Sequence, residues 1–290
     1  MLTYHRPANL DEALAIRAAG DVMVLAGGTD VYPAKASRSA WGDMRHKDVL
    51  DISRLAELRG MSADGGHWRI GALVTWSELM AAELPALFDG LKLAAKDVGG
   101  VQIQNRGTIA GNLCTASPAG DGLPNLLALE AEIELSGVGG TRRVAMGDFL
   151  TGYRQTVCRA DEIVTAILVP KPRGGEVRSH FLKLGARRYL VISIAMVAGV
   201  VEVGADGRIS NARLAIGACS AVPQRLPALE ARLIGAALTA AAGLALPEHV
   251  AHLQPIDDIR ASADYRRHAA LMLVRDLLAD LARGGERRAA

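Results

Sequence analysis

Cysteine is scarce in this sequence. Its 290 residues include three cysteines, Cys114, Cys158 and Cys219, which lie far apart. Zinc and iron–sulfur sites need several thiolates at short spacings, and small secreted proteins need paired cysteines. The spacing therefore excludes a disulfide framework and a cysteine-based metal site, and we expect three reduced thiols. We predict no metal site in this chain.

The sequence also lacks an excess of charge and a long apolar run. Lys and Arg outnumber Asp and Glu by only 33 to 31, so no basic surface indicates nucleic acid or an anionic membrane as a partner. The longest apolar stretch, LIGAALTAAAGLAL at 233–246, is shorter than the roughly 20 residues that span a bilayer. We interpret it as a packed helix and predict no membrane span. The first residues show no secretory pattern, so we expect a cytoplasmic protein.

Two common nucleotide-binding signatures are absent as well. Neither the P-loop spacing nor the glycine fingerprint of dinucleotide-binding folds occurs in the sequence. These absences exclude a conventional kinase and a conventional nicotinamide-binding fold. With 50% hydrophobic and 22% charged residues, the composition is that of an ordinary globular protein, and the length allows two or three domains.

Strand and helix patterns alternate unevenly along the chain and predict an α+β fold. Near the N-terminus, Asn9 and Glu12 form a capping-box pattern at the start of a helix, and VMVL then predicts a strand that runs into a glycine turn. EIELSG, RRVAM and EIVTAILVP predict an antiparallel middle region. The two prolines and two glycines of PKPRGG at 170–175 mark a connection between domains. Three further strands follow, with helices near 228–243 and 263–282.

Two stretches that contain glycine stand out, AGGTD at 26–30 and TIAGN at 108–112. Glycine lets a backbone approach a phosphate closely, and backbone N–H groups with short hydroxyl side chains can hold a phosphate without lysine. The longer stretch TIAGNLCTASPAGDGLP indeed contains no Lys, Arg or His. We therefore predict that a pyrophosphate lies between the two loops, with Asn112 and Ser117 as further donors. Asp121 is predicted as an acceptor for sugar or ribityl hydroxyls.

A longer line, GGVQIQNRGTIAGNLCTASPAGDGLPNLLALEAEIEL, resembles the FAD-binding subunit, or domain, of the molybdenum hydroxylases, the xanthine dehydrogenase and carbon monoxide dehydrogenase family. The resemblance extends to LAGGTDV upstream and to DEIVTAILVPKP, FLKLGARR and PIDDIRASADYRRHAALMLVRDLL downstream, so it covers nearly the whole chain. It implies a two-part FAD-binding domain of the vanillyl-alcohol-oxidase/PCMH type, followed by a domain like the C-terminal domain of the carbon monoxide dehydrogenase flavoprotein. The implied parts are an N-terminal FAD-binding subdomain at 1–56, a second one with an antiparallel sheet at 57–175, and a C-terminal domain of a three-stranded sheet plus helices at 176–290.

The resemblance also implies a function and partners. In this family the chain is the medium subunit of a molybdopterin-dependent dehydrogenase or hydroxylase. It takes electrons from two-iron two-sulfur clusters in a small subunit and passes them to an external acceptor. The substrate reacts at molybdopterin in a large subunit, so we expect no catalytic residue for hydroxylation here. A dimer of heterotrimers is the expected assembly.

The same resemblance matches individual positions of this chain to FAD-contacting residues of the family. A cation such as Lys183 near the isoalloxazine would favour the anionic reduced flavin. The implied FAD-binding residues are Ala26, Gly27, Gly28, Thr29, Asp30, Thr108, Gly111, Asn112, Ser117, Asp121, Val164 and Lys183.

The sequence departs from the family at two places. Ala110 occupies the first of two glycines that are usual in the second loop, so we expect an ordinary negative φ there. RRYLVIS at 187–193 lacks the carboxylate that many relatives carry after the paired arginines. Two alternatives stay open: a self-sufficient FAD-dependent oxidase, and a nucleotide-binding interaction module with no redox role.

Overall fold

The computed structural model describes residues 3–40, 47–172 and 174–284. The ends of the outer predicted domains, at 1–2 and 285–290, lie outside it, as do residues 41–46 and Arg173 of the predicted connection. Within the described residues the chain forms sheets of three, five and four strands and a two-stranded hairpin. Helices flank or connect these sheets, and the predicted α+β fold class is confirmed.

The N-terminal unit is a three-stranded parallel sheet with a helix in each connection. The predicted cap of the first helix forms, because Asn9 Oδ1 accepts a hydrogen bond from the Glu12 N–H at 2.9 Å. The Glu12 carboxylate accepts from the Ala8 N–H at 2.7 Å rather than from the N–H of the cap itself. The elements are β1 (Tyr4–His5), α1 (Leu10–Ala19), β2 (Val22–Leu25), α2 (Val31–Ala40) and β3 (Asp48–Asp51).

The second unit contains the antiparallel sheet that the sequence predicts. Its strands are β4 (Met61–Ala63), β5 (His67–Gly71), β6 (Glu132–Gly137), β7 (Gly140–Ala145) and β10 (Ile163–Pro170), with β8 (Leu150–Gly152) and β9 (Gln155–Thr156) forming the separate hairpin. The order across the sheet is β4-β5-β10-β6-β7, so β10 lies in the middle. It is buried from Ile163 to Val169, because neighbouring elements cover both of its faces, and this burial accounts for its continuous apolar run.

Short helices occupy the stretch between β5 and β6. Thr75 and Glu78 form a capping box, with the Thr75 hydroxyl accepting from the Glu78 N–H at 3.2 Å and the Glu78 carboxylate accepting from the Thr75 N–H at 2.7 Å. The second predicted glycine loop, TIAGN at 108–112, is mostly helical. The helices are α3 (Trp76–Ala81), α4 (Asp89–Asp97), α5 (Val101–Arg106), α6 (Ile109–Thr115) and α7 (Gly122–Ala128), and α8 (Met146–Phe149) follows β7.

The C-terminal unit is a four-stranded antiparallel sheet. The three predicted strands are β11 (Glu176–Leu184), β12 (Ala195–Val203) and β13 (Ile209–Gly217), and Gly207 in the hairpin between the last two has φ +73°. The prediction of a three-stranded sheet is wrong, because β14 (Gln224–Arg225) adds an edge strand. Two residues are too few to show a strand pattern in the sequence.

Strand β12 joins two hydrophobic cores. Met196 and Ala198 pack into the core of the first two units, whereas Ala195 and Val197 pack into the core beneath the C-terminal helices. Successive side chains of a strand point to opposite faces, so both faces of this sheet are covered and the whole strand is buried. The C-terminal sheet is therefore packed firmly against the second unit.

The helices of the C-terminal unit differ from the prediction in one place. The predicted helix at 228–243 is interrupted at Gly235, which has φ +79° and donates its N–H to the Ile209 carbonyl at 2.8 Å. The apolar stretch at 233–246, predicted as one packed helix, therefore contains the last residue of α9, a turn, a short 3-10 helix at 238–240 and a separate helix at 241–244. The elements are α9 (Pro227–Leu233), α10 (Ala241–Leu244) and α11 (Ala263–Ala282). No helix in the described ranges has the length and apolar character that crossing a membrane requires.

Candidate functional site

The first glycine loop, residues 26–30, connects the end of β2 to the start of α2. Gly28 has φ +79°, a conformation that residues with a side chain rarely adopt, and its carbonyl accepts the Tyr32 N–H at 3.2 Å. A Cβ at Gly28 would lie 2.7 Å from the Tyr32 ring. The positive φ therefore favours glycine at this turn, whereas the Tyr32 ring, which is 56% exposed, could move aside.

The second loop is the start of α6. Thr108 is its N-cap, and the Thr108 Oγ1 accepts the Gly111 N–H at 2.9 Å. Ala110 lies inside this helix and is absent from the residues with positive φ, so the expected negative φ is confirmed. Because the Gly111 N–H is already bonded to Thr108, the contribution of Gly111 to the site is the space that a missing side chain leaves.

The two loops meet where the chain at 106–107, at the end of α5, leads into the second loop. A Cβ at Gly27 would approach the Arg106 carbonyl oxygen to 1.9 Å, so the backbones meet with no room for a side chain. The Thr115 hydroxyl donates a hydrogen bond to Asp30 Oδ2 at 2.8 Å and joins the first loop to the end of α6. Residues that are about 80 positions apart in the sequence thus form one wall.

That wall borders a cavity of about 660 Å³, a size typical of small-molecule sites. On another side the cavity is bounded by β10, at the place where its pairing with β6 is interrupted by a bulge next to Val164. The predicted site residues that line this first cavity are Ala26, Gly27, Gly28, Thr29, Asp30, Thr108, Gly111, Asn112 and Val164.

A second cavity of about 770 Å³ lies between the second unit and the C-terminal unit. Ser117, Asp121 and Lys183 line it, and Asn112 lines both cavities. The Asn112 side-chain oxygen is buried and finds no hydrogen-bond partner among the described residues. Two cavities that meet at an unsatisfied amide fit a ligand with two large ends and a narrow polar centre.

A buried ion pair crosses the domain boundary in the second cavity. Lys183 Nζ on β11 lies 2.6 Å from Asp121 Oδ2 at the start of α7, and both side chains are 7% exposed. The Ser193 hydroxyl donates to Asp121 Oδ1 at 2.6 Å. Burial raises the pKa of the Asp121 carboxyl, and the neighbouring Lys183 charge and hydrogen bonds oppose that rise.

Comparison with known proteins decides the family. Residues 1–172 match the family described as the FAD binding domain in molybdopterin dehydrogenase, and residues 180–281 match the CO dehydrogenase flavoprotein C-terminal domain. The chain belongs to the FAD-binding subunits of the molybdenum hydroxylase family. Its cofactor is FAD, and it is an oxidoreductase component.

Similar members of this family cover the chain almost completely. The nicotine 6-hydroxylase medium subunit of Paenarthrobacter nicotinovorans is 32% identical over 279 residues, which are 94% of this chain and 95% of that protein. The carbon monoxide dehydrogenase medium chain of Hydrogenophaga pseudoflava is 30% identical over 284 residues, 95% of each. A solved structure of carbon monoxide dehydrogenase from Hydrogenophaga pseudoflava matches with a TM-score of 0.86 and 30% identity, covering 97% of this chain and 98% of that one.

In this FAD-binding subunit two of the predicted site residues contact each other. Asp121, predicted as an acceptor for hydroxyls of the cofactor, accepts from Lys183 and Ser193 on different oxygens. Lys183, predicted as a cation near the isoalloxazine, is paired with Asp121 in a buried contact. A paired lysine contributes little net charge to the cavity, because the two fields largely cancel.

Several residues of the site are absent from the sequence predictions. Trp76 is fully buried, lines the first cavity and would lie 2.8 Å from a Cβ at Gly122, so it packs behind the FAD-facing wall. Cys114 and Cys158 line the same cavity with free thiols. Ser193 lines the second cavity. Only Trp76 carries a sequence signal, because large aromatic residues are rare in this chain at 4%.

Proposed function

We propose that this chain is the FAD-carrying medium subunit of a three-subunit molybdopterin-dependent dehydrogenase or hydroxylase, in which it receives electrons and passes them to an external acceptor. One observation carries the proposal: two cavities meet at Asn112. The two predicted glycine loops line the first cavity, and the C-terminal unit lines part of the second. Such a shape suits FAD, which has a ring system at each end of a pyrophosphate.

The twelve predicted FAD-binding residues are part of this proposal. The first loop and Asn112 would hold the pyrophosphate through backbone N–H groups and the Asn112 side-chain NH2 group, since the wall itself is without lysine. The C-terminal unit would close the second cavity and exclude water. When bound, FAD supplies the ability to exchange single electrons with metal clusters and pairs of electrons with an acceptor.

The proposed partners follow from what this chain lacks and from its relatives. A two-iron two-sulfur cluster takes four ligands, whereas the chain has three separated cysteines, so the clusters belong to a small subunit. Molybdopterin and the substrate belong to a large subunit. Relatives named as medium subunits or medium chains match 94% and 95% of this chain. We further propose a dimer of heterotrimers that works in the cytoplasm.

The identity of the cofactor gives the first test. The chain is purified from its own host, denatured, and its released flavin is separated by chromatography. We expect FAD, because the joined cavities accommodate a dinucleotide. Recovery of FMN alone would contradict the pyrophosphate assignment, and recovery of no flavin from a folded complex would favour the non-redox interaction module.

The proposed roles of the three subunits give the second test. A tagged chain should copurify with two further chains, and the complex should contain iron and molybdenum in addition to FAD. The flavin absorbance of the complex should bleach anaerobically on addition of its substrate, whereas the isolated chain with the same substrate should stay oxidised. Bleaching of the isolated chain would favour the self-sufficient oxidase.

A further inference from the structure

Ser193 is a polar side chain that the cavity wall buries almost completely. It is 1% exposed and lies just before β12, immediately after the exposed segment at 186–192. Its hydroxyl donates to Asp121 Oδ1 at 2.6 Å, the usual distance of a charge-assisted hydrogen bond from a hydroxyl to a carboxylate. Ser193 can therefore influence the side chain that pairs with Asp121.

The side chain that pairs with Asp121 is Lys183. The two carboxylate oxygens of Asp121 have separate partners, because Oδ1 accepts from Ser193 and Oδ2 accepts from Lys183 at 2.6 Å. Lys183 Nζ also donates to the Asp97 carbonyl at 3.3 Å. An ammonium group has three donors, so these two contacts, counted over the described part of the chain, leave one for a ligand in the cavity that Lys183 lines.

Rotation of the carboxylate is the freedom that Ser193 removes. The χ2 torsion of aspartate is broad, so a single partner on one oxygen does not fix the plane of the group. Two partners on different oxygens do fix it. Lys183 is a long, flexible side chain, and its position at the wall depends on the orientation of the carboxylate that it contacts.

We propose that Ser193 is a positioning residue of the flavin site, which orients Asp121 so that Lys183 keeps its remaining donor for the bound cofactor. This inference rests on the proposed function and names a residue that the family resemblance does not supply. Lys183 and Ser193 belong to the C-terminal unit and Asp121 to the second unit. The contact therefore also makes the flavin site depend on the packing of these two units.

The test compares Ser193→Ala with a matched control, Ser179→Ala. Ser179 is a buried serine on β11 that also bridges the two units, since its hydroxyl donates to the Ala86 carbonyl at 2.7 Å and accepts the Gly90 N–H at 2.9 Å. It lines neither flavin cavity. A loss of interdomain packing alone would affect both variants, whereas a loss of positioning affects only Ser193→Ala.

The first readout is the dissociation constant of FAD, measured by quenching of flavin fluorescence on the purified chain. We expect Ser193→Ala to raise it about tenfold, the effect of losing one hydrogen bond to a charged group. Ser193→Thr, which keeps the hydroxyl, should restore binding, and Ser179→Ala should leave it unchanged. The visible absorption bands of bound flavin should shift in Ser193→Ala and stay in place in Ser179→Ala.

The second readout is a double-mutant cycle with Lys183→Met. If Ser193 acts through Lys183, Ser193→Ala should cause no further loss of FAD affinity once Lys183 is replaced. The same cycle on the free energy of unfolding of the flavin-free chain should show coupling between the two positions. This measurement still decides the positioning role if the chain proves to bind no FAD, an outcome that would refute the proposed function.

Two results would overturn the inference. One is an equal effect of Ser193→Ala with and without Lys183, which would mean that the serine acts on its own. The other is unchanged FAD affinity in Ser193→Ala with additive effects on unfolding.

Discussion

Replacement of Gly27 by alanine tests whether the two loops must touch for the site to hold FAD. A Cβ at this position would lie 1.9 Å from the Arg106 carbonyl oxygen, whereas contacts below 3.0 Å are essentially never found, so the loops must separate by about 1.1 Å. Forced overpacking of this kind costs about 1–3 kcal/mol. If the free chain relieves the strain by opening the loops and FAD requires them closed, FAD binding should weaken about 5- to 150-fold.

The assay is titration of the flavin-free chain with FAD, followed by fluorescence, with circular dichroism to confirm the fold. Gly20→Ala is the control, because Gly20 has an extended φ of −167° and a Cβ there would meet no atom within 4 Å. That control should keep normal affinity and gain at most about 0.4–1 kcal/mol of stability. Normal FAD affinity in a folded Gly27→Ala chain would refute the claim that the contact between the loops forms the wall.

Three further predictions concern the same cavity. Gly28→Val should abolish flavin retention while the circular dichroism spectrum stays normal, because a β-branched residue is strained at a φ of +79° and the loop would have to change its backbone; full flavin content in the purified variant would contradict this. Hydrogen bonds from Arg142, at 2.6 and 2.8 Å, hold the pKa of Glu162 below its ordinary value of 4.5, so the pair stabilises the fold above that pH and loses its effect as the pH falls through the folded-state pKa. Glu162→Gln should therefore lower the free energy of unfolding by about 1.5–3 kcal/mol at pH 7, and the difference should vanish in acid when denaturant titrations are repeated at decreasing pH; a difference independent of pH would contradict this reasoning. Cys114 is open to the first cavity, where the surrounding protein raises the pKa of its thiol to about 12, so alkylation at neutral pH should be slow and FAD should slow it further, as measured by mass spectrometry; equal rates with and without FAD would place the thiol outside the site.

Local sequence patterns determine much of the secondary structure of this protein. The caps at Asn9 and Thr75 and the hairpin at Gly207 are interactions within a few residues, so short patterns suffice to predict them. The patterns fail where an element is very short or is interrupted. The two-residue strand at 224–225 and the break at Gly235 depend on pairing with β13 and its neighbouring loop, which no local window contains.

The glycine loops could be found from the sequence, because a backbone that approaches a phosphate must dispense with a side chain. Their contact with each other could not, since Gly27 meets Arg106 only after the sheets and helices between them have packed. The same holds for the helical nature of the second loop. Glycine and small polar residues do not give a periodic apolar pattern, so the sequence does not predict α6. The helix and its N-cap Thr108 are recognised only in the folded chain.

The sequence by itself therefore determines the family and the cofactor class, because these depend on residue types at matched positions. Only the tertiary structure decides the charge of the second cavity. Lys183 and Asp121 are 62 positions apart, and Ser193 is 72 positions from the carboxylate that it contacts. Whether a lysine is a free cation or half of a buried pair depends on which residues the fold brings within 3 Å of it. Electrostatic interactions depend on the distance between two charges in space and not on their separation in the sequence.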